Sequence, residues 1–480
     1  MMTYDEALER LAALGPEMQT TRTTAGAPAP VRRKFSLDHI RALLKALDEP
    51  QRTFASVLIA GTNGKGSTAA TLASITNAAG IRTGLYTSPH LLRVNERIKV
   101  SEAAGPGAQT LQEIPDADFG RLYGLVDTAT ARLIAQGGLP HYPSFFELLT
   151  AIAFAWFAEQ RVELAVLEVG LGGRLDATNS VEPIVSVITD IGIDHIEYLG
   201  NTIREIAGEK AGILRQDGVL VTLAQHQEAN AAIGEAAVRL NVRGVDASRC
   251  LPPSRDRAAS PSPNGSPLAR NVYDLSIESE ALHVDSPLPG QHQQRNVALA
   301  IATALELRAN HGFAITNAAI EQGIRDTEWP GRLEWIASRT GHAPLLLDVA
   351  HNPAGAWTLR AALSQLPEEC PRTLIFGCLA DKQIDEMEQV LLPLFDSTSG
   401  DPARTGDHVI LAPVHNPRAA TVDELAAAAQ RLDVPVHLAT DLRDALQQAQ
   451  SLTPSSGVIV ATGSVFLVGE IRALALTQPG

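Results

Sequence analysis

Short aliphatic runs alternate with longer Ala- and Leu-rich runs along most of this chain, and that alternation constrains its fold most strongly. The N-terminal part has predicted strands at 56–60, 83–87, 163–169, 184–189 and 218–222, and predicted helices at 67–79, 144–159 and 202–214. Runs that are apolar at nearly every position are typical of strands buried on both faces of a parallel sheet. We therefore expect an α/β fold with an N-terminal doubly wound parallel sheet.

A second α/β series begins near Trp329. Its predicted strands cover 345–349, 373–377, 408–412, 435–438 and 457–462, and its predicted helices cover 354–365, 383–395, 421–432 and 440–451. We expect two domains, residues 1–328 and a C-terminal Rossmann-like α/β domain of residues 329–480. The weaker pattern between about 240 and 290 predicts a small β-rich region, in which the Pro- and Ser-rich residues 250–270 form a flexible peripheral insertion.

Charge and composition exclude several classes of function. The 480 residues carry 39 basic and 54 acidic side chains, so the net charge of −15 argues against a basic face for nucleic acid. The longest apolar stretch, residues 148–158, is too short to span a bilayer and predicts a buried helix. The acidic N-terminus is unlike a signal peptide, and three cysteines form no disulfide framework. We expect a cytoplasmic protein with no membrane partner.

A glycine-rich loop, Gly61–Thr68, lies between a predicted strand and a predicted helix. Glycines allow the backbone to approach phosphate oxygens, and the first N–H groups of a helix attract anions. Lys65 can reach the outer phosphates, while Ser67 or Thr68 can cap the helix or bind Mg²⁺. The spacing differs from a standard P-loop, since only two residues separate Gly61 from Gly64. The loop still predicts a P-loop-type ATPase domain rather than a tight turn with an exposed lysine.

Metal-competent side chains follow two predicted strands. Glu168 ends one strand and His195 follows the next, and Mg²⁺ prefers oxygen ligands together with substrate phosphates. A lone histidine is usually structural, but two such strand ends together favour a metal site. Ser88 follows a third strand, where it can bind Mg²⁺ or cap a helix. The spacing of Lys210, late in a helix, favours a simple interaction with the helix dipole.

Other motifs are less informative when taken singly. Arg332, near the predicted hinge, can clamp a phosphate, and Asp348 can bind a ribose or a metal or cap a helix. Asn296 fits a helix-face amide equally well. The glycines at 170–173 resemble a dinucleotide-binding motif, but the third glycine is absent at the required spacing, which excludes that interpretation. Arg93 and Arg97 either neutralise an anionic substrate or are solvated.

The motifs become specific when they are taken in order. GTNGKGST, TSPHL, SFFE, EVGLGGRLDATN, DHIEYLG, EKAGI, PGRLE and DVAHNP follow one another between residues 61 and 353, within a resemblance that extends from about residue 30 to the C-terminus. In this order they resemble the dihydrofolate synthase/folylpolyglutamate synthase family of the Mur ligase superfamily, and in particular its bifunctional bacterial members. The segment 250–270 resembles none of the motifs of this family.

The resemblance implies a role for each matching residue. ATP would be bound by Thr62, Asn63, Gly64, Lys65, Gly66, Ser67, Asn296, Arg332 and Asp348. Mg²⁺ would be bound by Ser88, Glu168 and His195, and Lys210 would be carbamylated and would bind a second Mg²⁺, which replaces its dipole interpretation. Lys65, Lys210 and His351 would be the catalytic residues. The pterin substrate would contact Ser144, Phe145, Phe146, Glu147, Leu175, Asp176 and Ala177.

The implied reaction is ATP-dependent ligation of L-glutamate to dihydropteroate, to the γ-carboxylate of a reduced folate, or to both, through an acyl phosphate. We expect a monomer. Another Mur-type ligase would need an additional N-terminal domain for a UDP-sugar, and the chain before residue 61 is too short for one. A P-loop ATPase switch, or a plain nucleotide-binding module, leaves Arg332 and Asp348 of the second domain without a role.

Overall fold

The structure is a computed structural model that describes residues 2–15, 36–101, 110–253, 265–278, 280–338 and 341–477. Most of the predicted insertion, residues 254–264, lies outside these ranges. No helix among the described residues is both long enough and apolar enough to cross a membrane.

The first sheet has the strand order β4-β3-β2-β5-β1-β6-β7-β8. Its strands are β1 (Ala55–Ala60), β2 (Thr83–Tyr86), β3 (Ile98–Ser101), β4 (Leu111–Glu113), β5 (Leu164–Glu168), β6 (Val185–Ile188), β7 (Val219–Thr222) and β8 (Arg243–Asp246). The five predicted strands are the parallel centre of this sheet, and the antiparallel strands β3 and β4 extend one edge. The prediction of a β-rich region from 240 is wrong at its start, because β8 pairs with β7 of the large sheet.

A two-stranded antiparallel hairpin follows this sheet in the chain and consists of β9 (Asn271–Ile277) and β10 (Glu280–Ser286). The helices of the N-terminal part are α1 (Tyr4–Ala13), α2 (Leu37–Ala46), α3 (Lys65–Ala78), α4 (Asp116–Ala135), α5 (Phe145–Glu159), α6 (Ile196–Leu199), α7 (Ile203–Lys210), α8 (Gln227–Arg239), α9 (Gln291–Asn310) and α10 (Asn317–Arg325). The helix predicted over 202–214 ends at Lys210 and continues as a 3₁₀ turn, Ala211–Ile213.

Both faces of the first sheet are covered, as the continuous apolar strands predicted. Val57 and Ile59 pack with α3, α9 and α10, while Leu58 and Ala60 point to the opposite face and pack with α5. This division follows from the alternation of side chains along a strand. Helix α5 is buried at every position from residue 148 to 157, which confirms the predicted buried helix.

The second sheet has the order β11-β12-β16-β13-β14-β15 and is parallel except for β11 at its edge. Its strands are β11 (Glu334–Ile336), β12 (Leu345–Leu347), β13 (Arg372–Phe376), β14 (His408–Leu411), β15 (His437–Leu438) and β16 (Val458–Thr462). Its helices are α11 (Pro353–Leu363), α12 (Ile384–Leu391), α13 (Val422–Gln430), α14 (Leu442–Leu452) and α15 (Val465–Thr477). The boundary at 328/329 falls between α10 and β11 and remains our prediction.

Candidate active site

A cavity of about 750 Å³ lies where the carboxyl ends of the two sheets face each other. Its walls include the segments that follow β1, β5 and β6 of the first sheet and β12 and β16 of the second. The carboxyl ends of parallel strands are where α/β folds usually bind ligands. All of the residues that the family resemblance assigns to the site, except Phe145, line this cavity.

The glycine-rich loop turns directly from β1 into α3, as the sequence predicted. Gly64 has φ +87° and precedes the first residue of the helix, Lys65. A Cβ atom on Gly64 would lie 2.2 Å from Oδ1 of Asn296. Glycine is therefore required here both for the left-handed backbone and for the contact with α9.

The loop is also fixed to the end of the neighbouring strand β6. The backbone N–H of Thr62 donates to the carbonyl oxygen of Asp190 at 2.8 Å, and the Thr189 hydroxyl donates to the carbonyl oxygen of Asn63 at 2.8 Å. Helix α3 has no side-chain cap, and Nζ of Lys65 lies 3.3 Å from the carbonyl oxygen of Thr62. An uncapped helix start next to a lysine is suited to bind phosphate groups.

Glu168, the last residue of β5, is only 4% exposed. Its Oε2 accepts a hydrogen bond from the backbone N–H of Ser88 at 3.2 Å. Burial raises the pKa of the carboxyl group, and the nearby charges of Lys65, Arg332 and Arg97 and the Ser88 N–H act in the opposite direction. No residue of the described ranges forms an ion pair with Glu168, so this buried carboxylate is suited to bind a cation.

Lys210 is 4% exposed, and its Nζ donates to the carbonyl oxygen of Gly61 at 2.7 Å. Burial, together with the charge of Lys65, lowers its pKa to about 7. Burial also lowers the pKa of His195 to about 3, which leaves a neutral imidazole. A neutral imidazole and a neutral amine are the forms of these side chains that can react with or bind electrophiles.

The donor set fits a magnesium ion better than a tightly bound transition metal. Among the described residues, no three His, Cys, Asp or Glu side chains come together as a metal cluster. Mg²⁺ keeps several waters and usually takes only one or two carboxylates in addition to substrate phosphates. Glu168, beside the phosphate loop and with the Ser88 backbone at its carboxylate, meets that requirement.

The C-terminal wall brings Arg332, Asp348 and His351 to the same cavity. Both oxygens of Asp348 accept backbone hydrogen bonds, from Leu333 at 3.0 Å and Ala350 at 2.9 Å, which fixes the segment that carries Arg332. Burial lowers the pKa of His351 to about 4, and its Nδ1 lies 2.8 Å from the carbonyl oxygen of Val349. Nδ1 of the neutral ring therefore carries the proton, which leaves Nε2 as an acceptor.

The remaining wall consists of the residues expected to contact the pterin. Ser144 and Glu147 form a capping box at the start of α5, in which Oε2 of Glu147 accepts from the Ser144 N–H at 2.8 Å. Asp176 accepts from the backbone N–H of Leu171 at 2.8 Å and orders the glycine-rich turn. These polar side chains thus also hold the backbone, a role that the sequence interpretation did not include.

Phe145 is placed apart from the other predicted residues, because the first position of α5 directs its ring away from the cavity lining. The ring lies 5.3 Å from the guanidinium of Arg97, which is 2% exposed and donates to Nδ1 of His90 at 2.8 Å. Arg97 is therefore buried, and the solvated alternative for this arginine is wrong. Its burial has no signal in the local sequence, since it depends on contacts with α5.

Asp194, Asn352 and Lys382 are among the polar residues that line the cavity but were given no role by sequence reasoning. Asp194 precedes His195, and Asn352 follows His351, so both were next to predicted residues. Lys382 is one of only six lysines in the chain, and this scarcity was the one available signal.

Two family models match this chain. The Mur ligase middle domain matches residues 128–304, and the Mur ligase glutamate ligase domain matches residues 331–465. The dihydrofolate synthase/folylpolyglutamate synthase of Mycobacterium tuberculosis (strain ATCC 25618 / H37Rv) is 35% identical over 92% of this chain and 90% of the relative. The chain belongs to the dihydrofolate synthase/folylpolyglutamate synthase family.

Solved structures of this family share the fold of the chain. The Mycobacterium tuberculosis folylpolyglutamate synthase complexed with ADP has a TM-score of 0.80 and 32% identity, with 99% of each chain covered. A bifunctional folylpolyglutamate synthase/dihydrofolate synthase with Mn, AMPPNP and L-glutamate bound has a TM-score of 0.72 and 26% identity, with 98% of each chain covered. These comparisons confirm the family resemblance and the α/β fold with an N-terminal nucleotide-binding domain and a C-terminal domain.

Proposed function

We propose that this protein is an ATP-dependent ligase that joins L-glutamate to the carboxylate of dihydropteroate, to the γ-carboxylate of folylglutamates, or to both. One observation carries the proposal: the phosphate loop and Glu168 of the first sheet face Arg332 and His351 of the second across one cavity. The family membership of the chain supports the choice of substrates. ADP and phosphate are the further products.

The reaction has two steps. A carboxylate oxygen of the substrate attacks the γ-phosphorus of ATP, which forms an acyl phosphate and breaks the bond to ADP. The neutral amine of L-glutamate then attacks the acyl carbon, phosphate leaves, and the amine loses a proton. Lys65 and the start of α3 bind the phosphates from one side and Arg332 from the other, which offsets the charge on the transferring group. His351, with Nε2 unprotonated, is the proposed acceptor of this proton.

Ser88, Glu168 and His195 are proposed to hold Mg²⁺, and carbamylated Lys210 to hold a second ion. When bound, the metal would neutralise charge on the phosphate oxygens. The relative solved with Mn, AMPPNP and L-glutamate bound supports the use of a divalent metal. Carbamylation is supported by the low pKa of Lys210, because only an unprotonated amine adds CO₂, and the product is a carbamate anion.

The pterin end of the substrate is proposed to lie against Phe146, Leu175 and Ala177, with Ser144, Glu147 and Asp176 as polar neighbours. Phe145 would support this wall from behind through its contact with Arg97. We further propose that the protein is a cytoplasmic monomer and that residues 1–328 and 329–480 are its two domains.

Phosphate release from Mg·ATP and L-glutamate tests the proposal, with dihydropteroate in one reaction and tetrahydrofolate in another. Release in both reactions assigns both activities, and release in one assigns that activity alone. The ATPase-switch alternative instead predicts release that does not depend on glutamate. Absence of release in both, with ATP binding confirmed, would overturn the proposed substrates.

A further inference from the structure

Two charged side chains meet across the cavity, one from each sheet. Nζ of Lys382, between β13 and α12, lies 3.1 Å from Oδ1 of Asp194, between β6 and α6. The two side chains are only 8% and 11% exposed. The contact therefore joins the N-terminal and C-terminal parts of the chain by a nearly buried ion pair.

The same carboxylate receives two further hydrogen bonds. Oδ1 of Asp194 accepts the backbone N–H of His195 at 2.9 Å, and Oδ2 lies 3.3 Å from Nδ2 of Asn352. Nδ2 of Asn352 also lies 3.1 Å from Oδ1 of Asn63 in the phosphate loop. Lys382 and Asn352, both from the C-terminal part, thus donate to Asp194 in the turn before His195. Asn352 also donates to Asn63 of the phosphate loop.

The loop that carries Lys382 is itself held in place. Asp381 pairs with Arg418 at 2.5 Å, and the backbone N–H of Ala380 donates to the carbonyl oxygen of Arg418 at 2.8 Å. Lys382 therefore meets Asp194 from a fixed position on its own sheet. A small rotation between the two sheets would move its Nζ out of hydrogen-bond range.

A buried ion pair of this kind contributes orientation more than stability. Its attraction is largely offset by the desolvation of both charges, whereas one charge left buried without its partner is strongly unfavourable. The pair consequently favours one arrangement of the two sheets over neighbouring ones. In that arrangement Arg332 and His351 face the phosphate loop.

We propose that Lys382 is a positioning residue. Through its ion pair with Asp194 it fixes the position of the C-terminal domain relative to the phosphate loop. The inference rests on the proposed ligase function. Lys382 binds neither ATP nor L-glutamate in this assignment. Its loss displaces Arg332 and His351 relative to the phosphates and lowers kcat by at least about 100-fold, because a misplacement of only about 1 Å already costs that much.

A double-mutant cycle tests the coupling, with Lys382→Met, Asp194→Asn and the double variant assayed for glutamate-dependent phosphate release. We expect Lys382→Met to lower kcat strongly in the wild-type background and to cause no further loss in the Asp194→Asn background. Independent, multiplicative losses would mean that Lys382 acts on a substrate directly, and they would overturn the proposal.

Small-angle X-ray scattering with a non-hydrolysable ATP analogue gives a second readout that does not need turnover. Lys382→Met should give a larger radius of gyration than the wild-type protein, while Arg431→Met, which removes an exposed ion pair with Asp385 of the same domain, should not. Equal radii for all three proteins would contradict the positioning role. Because scattering needs no ligase activity, a wrong substrate assignment would leave this test intact. Thermal unfolding confirms that each variant is folded.

Discussion

Nζ of Lys210 donates a hydrogen bond to the carbonyl oxygen of Gly61 at 2.7 Å, which joins the end of α7 to the first residue of the phosphate loop. The contact places a buried amine, with its pKa lowered to about 7, against the phosphate loop. A lysine at a helix end would ordinarily be solvated and protonated. Here burial and the charge of Lys65 favour the neutral form near physiological pH.

We predict that ligation depends on CO₂ and that the dependence changes with pH. The pKa of Lys210 is depressed, so below about pH 7 the amine is protonated and cannot add CO₂, whereas above it the amine is available. The rate in CO₂-depleted buffer should therefore rise on addition of bicarbonate, and the rise should be larger at pH 8 than at pH 6. The rate of phosphate release, measured with and without bicarbonate at the two pH values, gives this rise.

The matched control for the CO₂ experiment is Lys210→Met, which should be weakly active and insensitive to bicarbonate. A crystal structure of the wild-type protein grown with bicarbonate gives an independent test. Density for an unmodified Lys210, together with a bicarbonate-independent rate, would remove the carbamate from the mechanism.

Gly64→Ala should greatly weaken ATP binding while the fold is kept. The new Cβ would lie 2.2 Å from Oδ1 of Asn296, and the left-handed backbone at φ +87° costs a side chain about 1–2 kcal/mol. The loop must therefore shift, and its N–H groups no longer converge on the phosphates. Nucleotide titration by calorimetry measures the loss of affinity.

Gly234→Ala is the control for the loop substitution, because nothing lies within 4 Å of the new Cβ in helix α8. It should leave ATP affinity unchanged and raise stability slightly, since alanine is the better helix former. Equal ATP affinity of Gly64→Ala and the wild-type protein would show that the conformation of the loop is not needed for binding.

The parallel core of both sheets could be predicted from sequence because strands buried on both faces leave a continuous apolar signal, as in β1 and β16. Of the edge strands β4, β8, β11 and β15, only β15 lies within a predicted strand, 435–438. Residues 98–101 and 111–113 pair antiparallel at one edge, where lysine, glutamine and glutamate interrupt the apolar pattern. Strand β8 is similarly polar and is exposed at three of its four residues, so its place in the sheet depends on pairing with β7.

Site residues could be predicted where they belong to a short sequence motif. They could not be predicted where they depend on contacts between segments that are distant in the chain. Glu168 ends a strand and His195 follows one, so both can be recognised locally. Lys382 and Asp194 are 188 residues apart, and their pairing depends on how the two sheets face each other. The burial of Arg97 is of the same kind, since neighbouring residues 93–99 are polar enough for an exposed turn.

Glu168→Gln should abolish divalent-metal dependence of nucleotide binding and lower ligation by several orders of magnitude. The amide oxygen can still accept the Ser88 N–H, so the backbone geometry is kept, but the negative charge is lost. Since burial raises the pKa of this carboxyl group, removing the charge should leave thermal stability unchanged or higher. Manganese binding followed by electron paramagnetic resonance, with and without AMPPNP, measures the effect. Unchanged manganese affinity would exclude Glu168 as a ligand.

Glu388 lies within α12, does not line the cavity, and is a buried carboxyl group whose two oxygens have no hydrogen-bond partner among the described residues. Burial, together with the charge of Asp385, raises its pKa to about 8. Between the ordinary pKa of glutamate and pH 8, the folded state thus binds a proton that the unfolded state has lost. Stability from this group is present at low pH and is lost as pH rises toward 8.

Glu388→Met should therefore stabilise the protein at pH 8 by about 1–4 kcal/mol and by much less at pH 5. Urea unfolding at the two pH values measures the difference, and Glu386→Met, an exposed glutamate on the same helix, is the matched control with little effect at either pH. The comparison isolates the buried carboxyl group, because all other titrating groups are common to the variant and the wild-type protein. If Glu388→Met changed the free energy of unfolding by the same amount at pH 5 and pH 8, Glu388 would not titrate in this range.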